Sequence, residues 1–389
     1  MPPREYGVWV GGSRGVGKSE LELVYSSTSR PPPRLPRVLY VYLTPSSFVL
    51  DDLELLRERY EVQTFHFDAK AAKGALGMAR MLARQSAWLR RELHGADLVY
   101  GWFADYHMAL PVRRARRWGV PVAVALGGFE SNVLPGLGYG VMTSRWRAPL
   151  ARDVLRRASL LLPVSASLLE AENRFGAFPK VLRNGVRARV PGLATPAAVI
   201  PTGYDADAWP MGHKHRPPSV LTVAFADRER AVRLKGLDLF VDVARRLPEV
   251  PFRAIGVSKG VAQALKAQGM PPNVRLDGPV PREALAEAYG EASVFALLSR
   301  SEGLPNVLCE AMLCGAVPVG SAVGGIPDGI GETGFVAPTP DPDALAGLVK
   351  QALAEADGRR EAARNRIVAH FSRAQRRQRL FAALDGLMR

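Results

Sequence analysis

Two glutamates stand eight residues apart in the stretch SVFALLSRSEGLPNVLCEAMLCGAVP, residues 293–318: Glu302 and Glu310. Carboxylates accept hydrogen bonds from hydroxyls, and the free N–H groups at a helix start hold anions. Two such acids beside a helix N-terminus suit a ligand with hydroxyls at both ends and a phosphate in the middle. A third charged residue, Lys235, stands with Gly236 at the start of an amphipathic helix over 237–247. A loop lysine is ordinarily solvated, but at a helix N-terminus over the same sheet edge it is placed to bind phosphate.

The surrounding sequence says how these residues are held. Residues 294–298 are a short apolar run that fits a strand buried on both faces of a parallel sheet. Residues 299–305 carry two charges, a glycine and a proline, so the chain turns there, and Pro305 with Asn306 starts a helix over 307–314. Gly315 ends that helix and 316–319 read as the next strand. In one continuous helix the two glutamates would lie about two turns apart. The loop instead folds Glu302 back over the helix start, so that both acids face one pocket. The plain alternative is a solvated loop acid and a first-turn acid that steadies its helix dipole.

The segment SRSEGLPNVLCEAMLCGAVPV resembles the E-x7-E signature of retaining GT-B glycosyltransferases in the glycogen-synthase-like group, the glycosyltransferase family 4 type. GGIPDGIGETGFVAPTPDPDALA, from Gly324, is similar to that group's next segment. The resemblance runs from about residue 36 to the C-terminus and is strongest from Val199. It implies an α/β protein of two Rossmann-like doubly wound parallel-sheet domains facing a cleft. Residues 36–200 form the acceptor-side domain, joined by a C-terminal helix over 372–389 that crosses back, and 201–371 form the nucleotide-sugar domain. The resemblance implies that Glu310, Gly303, Leu304, Pro305 and Asn306 bind the donor and that Glu302 meets its sugar hydroxyls. Arg230, four intervening residues before Lys235, matches the family's arginine and lysine pair on the donor diphosphate. The loop is longer than usual, so Arg228 and Arg233 also compete for that place. The implied reaction is metal-independent transfer of a sugar from a nucleotide-sugar donor to a sugar or lipid-linked acceptor with retention of configuration. No cofactor and no metal site are implied.

The first domain reads as alternating strands and helices from 37–43 to 160–164, which implies a parallel sheet. The loop after its first strand, TPSSF, lacks the glycines of relatives, and Gly127 and Gly128 stand where relatives carry a histidine. Asp105 and His107, in YGWFADYH after a strand, are candidates for the acceptor side, with a packed, hydrogen-bonded histidine as the competing reading. Gly127, Gly128 and Glu130 join them as candidates, the glycines because they let a backbone approach closely.

Composition bounds the partners. The chain has 389 residues, enough for two or three domains, and a net charge of +15 carried by arginine. Such a balance invites phosphorylated ligands, anionic membranes or nucleic acid. No nucleic acid is expected as a partner here. Residues 139–157 mix Arg145, Arg147, Arg152, Arg156 and Arg157 with Trp146, which suits an anionic membrane surface as well as an ordinary basic helix. Cys309 and Cys314 lie five apart on one helix and form neither a disulfide nor a metal site. The expected location is the cytoplasm, at the inner face of the membrane. GSRGVGKS, residues 12–19, matches a Walker A phosphate loop but lacks a following long helix and is read as part of a flexible extension, 1–35. The alternatives are a nucleotide-sugar epimerase or phosphorylase on the same fold, and a basic nucleic-acid-binding or P-loop NTPase protein.

Overall fold

The computed structural model describes residues 34–213 and 216–389. The Walker-like segment and nearly all of the 1–35 extension lie outside the described residues. In the first half, strands β1 (Arg37–Tyr42), β2 (Glu61–His66), β3 (Leu98–Trp102), β4 (Val122–Leu126) and β5 (Leu160–Pro163) pair in parallel in the order β2-β1-β3-β4-β5. Helices α1 (Ser47–Arg57), α2 (Gly74–Glu92), α3 (Tyr106–Arg117) and α4 (Arg147–Arg157) connect them. β3 and β4 are buried throughout, as apolar runs in a doubly covered parallel sheet must be. A small antiparallel hairpin, β6 (Ala171–Asn173) with β7 (Leu182–Asn184), and a short helix α5 (Val186–Arg189) follow.

The second sheet has six parallel strands in the order β10-β9-β8-β11-β12-β13. They are β8 (Val220–Ala226), β9 (Phe252–Val257), β10 (Val274–Asp277), β11 (Val294–Leu297), β12 (Val317–Ser321) and β13 (Phe335–Ala337). Between them run α6 (Glu229–Leu234), α7 (Leu237–Arg246), α8 (Lys259–Ala267), α9 (Arg282–Glu291), α10 (Asn306–Leu313) and α11 (Ile326–Ile330). The order reverses between β8 and β11, and a crevice for ligands opens at the carboxyl ends of strands at such a switch point. Both sheets belong to one compact unit, Leu35–Arg389. The fold class read from the sequence, two parallel-sheet α/β domains, is the one observed.

One segment read as a loop is helical. Residues 229–234, ERAVRL, consist of helix formers, open with Glu229 in the first turn and bury Val232, so the stretch before Lys235 folds as α6. α8 is capped by Ser258, whose hydroxyl accepts from the N–H of Val261.

The chain closes with α12 (Pro342–Ala354), α13 (Ala356–His370) and α14 (Arg373–Met388). α14 packs on the first half, where the buried Arg376 forms a two-pronged pair with Asp52 of α1, both contacts at 2.6 Å. Tyr100 and Trp102 also donate to Asp52, at 2.5 and 2.8 Å, and Arg376 donates to the carbonyls of Ile200 and Pro201 at 3.0 and 2.8 Å. A buried charge pair is tolerated when every group is hydrogen-bonded, and this one ties α14, α1, β3 and the connecting segment together.

Candidate functional site

Lys235 follows α6 and Glu302 follows β11, so both sit at the reversal of the second sheet. The Lys235 ammonium donates to Glu302 Oε1 at 2.7 Å. Both side chains line a cavity of about 370 Å³ with Gly303, Leu304, Pro305 and Asn306, and with Gly127, Phe48 and Trp102 of the first half. The geometry leaves no freedom at two backbone positions. A Cβ on Gly236, at φ +69°, would lie 1.9 Å from the Leu298 carbonyl, and one on Gly303 would lie 2.3 Å from the Gly127 carbonyl. Only glycine lets these loops pass so closely.

α10 begins beside this cavity. The residue before it, Pro305, has no side-chain acceptor for the first N–H groups, so they remain available to an anion. Asn306 is held by its side chain, whose Oδ1 accepts from the Tyr204 hydroxyl at 2.9 Å.

Glu310 lies one turn further along α10 and lines a second cavity, about 460 Å³, that shares Thr202 and Asn306 with the first. The Tyr289 hydroxyl donates to Glu310 Oε2 at 3.3 Å. Burial pushes the carboxyl up to about 7, against the bond from Tyr289 and the field of Arg282, which pull it down. The two glutamates therefore do not share one pocket, as the sequence reading has them. α10 starts only at Asn306, which leaves Glu302 in the loop on the Lys235 side and sets Glu310 on the helix face toward α9 and α1.

Arg230 is not brought into either cavity. Its guanidinium donates to the Gly138 carbonyl at 3.2 Å. The reason is α6: five residues along a helix rotate a side chain by about 140°, so Arg230 and Lys235 point apart where an extended loop would let them converge. Of the competing arginines, Arg228 pairs with the adjacent Asp227 at 2.8 Å, and Arg233 faces a separate groove with Lys180 and Arg300.

The first-half candidates separate in the same way. Asp105 caps α3 by accepting from the N–H of Tyr106 at 2.7 Å and forms a two-pronged pair with Arg147. His107 is fully buried with Nε2 2.9 Å from the Trp102 carbonyl, and burial drives its pKa down to about 4, so the ring is neutral near pH 7. Neither lines the cavity. Their own helix start and neighbours consume them. Gly127 does line it, and Gly128, at φ +122°, packs against the backbone of Gly303. Glu130 lies beneath the turn, 1% exposed, accepting from the N–H of Gly127 at 2.8 Å, and burial raises its pKa to about 7.

Some residues of the site carry no sequence signal. Asn132 donates to the Glu302 carbonyl at 2.9 Å from 170 positions away, and the N–H of Gly325 donates to the Gly303 carbonyl at 2.6 Å. Phe225, 68% exposed at the end of β8, lines the first cavity. Its position in an apolar strand reads as core, and only the ending of the strand at the crevice could have marked it. Among the described residues no group of three or more His, Cys, Asp or Glu side chains could hold a metal ion.

Two parallel Rossmann-like sheets with a crevice at the reversal of strand order make up the GT-B fold. The fold is similar to that of sucrose-phosphate synthase from Thermosynechococcus elongatus, with a TM-score of 0.68 and 16% identity over 90% of this chain and 99% of that one. It is also similar to Anabaena HepE solved in complex with UDP-glucose, with a TM-score of 0.66 and 16% identity over 90% and 99%. Residues 219–355 match the family described as Glycosyl transferases group 1. A GDP-mannose-dependent alpha-(1-6)-phosphatidylinositol monomannoside mannosyltransferase of Mycolicibacterium smegmatis is 27% identical over 76% of this chain and 79% of its own. A D-inositol 3-phosphate glycosyltransferase of Mycobacteroides abscessus is 32% identical over 36% of this chain. That alignment spans 35% of the relative, about a third of its length.

Proposed function

We propose that the protein transfers a sugar from a nucleotide-sugar donor to an acceptor with retention of configuration, without a metal ion, from the pair of cavities at the start of α10. The observation that carries this reading is the arrangement of Lys235, Glu302 and Glu310 around one uncapped helix N-terminus. The nucleoside ribose donates to Glu310, and the diphosphate lies over the first N–H groups of α10 and the Lys235 ammonium. The donor sugar then reaches Glu302, whose carboxylate accepts from its hydroxyls. As the glycosidic bond to phosphate breaks, negative charge builds on the diphosphate and positive charge on the sugar ring. Groups fixed in place before the reaction stabilise that charge without reorganising, the largest single contribution in many enzymes. Lys235 and the α10 dipole supply it at the leaving group. Glu302, 2.7 Å from Lys235, holds the ammonium in the cavity and stands near the developing positive charge.

Relatives whose names include GDP-mannose dependence and neighbours solved with UDP-glucose support a nucleotide-sugar donor. The epimerase, phosphorylase and P-loop alternatives gain no support from the family match. A panel of nucleotide sugars in a thermal-shift assay tests the reading, since a ligand of the folded state alone raises its melting temperature. The active donor then serves in a transfer assay with the product anomer read by proton NMR. Release of nucleoside diphosphate with an inverted product overturns retention; no stabilisation by any nucleotide sugar overturns the donor site.

We place the enzyme in the cytoplasm, at an anionic membrane face, with residues 36–200 and 201–371 as its two domains and α14 crossing back. Exposed Trp118 at the arginine-rich end of α3, and exposed Trp146 between Arg145 and Arg147 at the start of α4, support the contact. No helix among the described residues is long and apolar enough to cross a membrane. Co-sedimentation with anionic vesicles that falls as salt rises is the expected result; equal binding to neutral vesicles removes the electrostatic argument.

A further inference from the structure

The cavity that holds Glu310 has a second set of polar groups that transfer itself does not use. Its lining includes Asp51 and Glu54 of α1 and Arg282 at the start of α9. Glu54 is taken by Arg373 at 3.2 Å, and Asp205, also on the lining, accepts from the N–H of Asp207 at 3.1 Å. Asp51 and Arg282 have no hydrogen-bond or ion-pair partner among the described residues. Asp51 is half-buried, and burial raises its pKa although Arg373 and Arg282 pull it down. Arg282 is steadied by its guanidinium lying 4.8 Å from the Trp209 ring centroid, a stacking contact that leaves its N–H donors free.

The reading of Glu310 as the ribose acceptor fixes what these two groups face. The diphosphate lies toward Lys235 and α10, and a wall bearing Asp51, Glu54 and Asp205 repels it from the other side. The base is the part of the nucleotide that extends past Glu310 into this space, and about 460 Å³ has room for a nucleoside. A carboxylate has two acceptor oxygens side by side and a guanidinium has donors in a planar fork. Guanine offers the complement of both: adjacent N1–H and N2–H donors on one edge, and the O6 and N7 acceptors that arginine takes in pairs. Uracil has one N–H set between two carbonyl oxygens, which a carboxylate repels. Adenine has a single amino group beside a ring acceptor.

We propose that Asp51 and Arg282 read the base of the donor and select guanine, so that the donor is a GDP-sugar; this rests on the assignment of Glu310 to the ribose. Asp51 belongs to the first half and Arg282 to the second, so a bound guanine joins the two halves across the cleft.

Isothermal titration of the full chain with GDP, UDP, ADP and CDP tests this. The wild type should bind GDP about 30-fold or more tighter than the other three, since a site built to pair with donors rejects bases that leave it unpaired. Asp51→Asn should bring GDP to within about threefold of UDP while leaving UDP nearly unchanged, and Arg282→Ala should act in the same direction. Glu310→Gln should weaken all four nucleotides alike. UDP or ADP binding as tightly as GDP to the wild type, or a GDP preference that survives both Asp51→Asn and Arg282→Ala, overturns the base assignment and leaves the transferase reading standing. Binding of none of the four overturns the nucleotide site itself.

Discussion

The carboxyl edges of the two sheets carry the same kinds of residue and use them differently. At the edge of the second sheet, Lys235, Glu302 and Glu310 line cavities, and α10, which carries Glu310, follows a proline with no side chain to cap it. At the edge of the first, Asp105 caps α3 and pairs with Arg147, His107 bonds the Trp102 carbonyl, and Glu130 folds onto the N–H of Gly127. Buried polar groups must be paired somewhere, and in the first half the nearby chain pairs them. In the second half bonding capacity is left over. Residue type and position after a strand do not separate the two regions; unspent donors and acceptors do.

The comparison breaks most visibly through stability. Asp105→Ala strips the cap of α3 and leaves Arg147 without its carboxylate, so it should lower unfolding stability by about 3–5 kcal/mol and leave nucleoside diphosphate affinity unchanged. A variant that melts normally but binds poorly would move Asp105 to the other side of the comparison. Lys235→Ala should do the reverse. In the proposed reaction its charge matters most as the diphosphate departs, so the activation barrier should rise by about 2–4 kcal/mol, lowering kcat, with a smaller change in donor affinity and in melting temperature.

What could be read in advance follows from which forces are local. The strands were legible because apolar runs such as 98–102 and 122–126 are buried on both sides, and α10 because Pro305, Asn306 and Gly315 bracket it. α6 was not, because its arginines and glutamate resemble a solvated loop until Val232 is seen buried against the sheet. The hairpin β6–β7 has three-residue strands, too short for an alternating pattern to register. Of the site, Lys235, Glu302 and Glu310 stood out by type and motif. Their partition into two cavities and the turn of Arg230 toward Gly138 did not, since both depend on where α6 and α10 begin. Long-range contacts such as Asn132 to Glu302 and Arg376 to Asp52 leave no trace in local sequence.

Acidity sharpens the comparison at Glu310. Burial raises its pKa in the folded chain to about 7, well above the ordinary carboxylate range. Between those values the folded state holds more protons than the unfolded one, so stability falls as pH rises through roughly 4.5 to 7 and levels off above. Glu130 acts in the same direction. Glu310→Gln should flatten part of that slope in a melting-temperature series. Donor affinity should run the opposite way in the wild type, rising with pH as the carboxylate forms, and Glu310→Gln should remove that rise and weaken binding by about 1.5–3 kcal/mol. A donor affinity independent of pH between 5 and 8 would argue against a role for Glu310 in binding. The smallest effect is expected at His107, where a neutral buried ring has no duty in transfer. His107→Gln should lower the melting temperature slightly and leave kcat and its pH profile within about threefold of wild type.

Glu302→Gln tests the central claim most directly, measured with whichever nucleotide sugar stabilises the wild type. The carboxylate accepts from the Lys235 ammonium at 2.7 Å, and in the proposed reading it meets only the sugar end of the donor. Nucleoside diphosphate affinity should stay within about threefold of wild type while turnover falls about 100-fold, the loss expected for a preorganised charged group at the reacting centre. Normal turnover in this variant would show that the cavity at the start of α10 is not where the sugar is transferred.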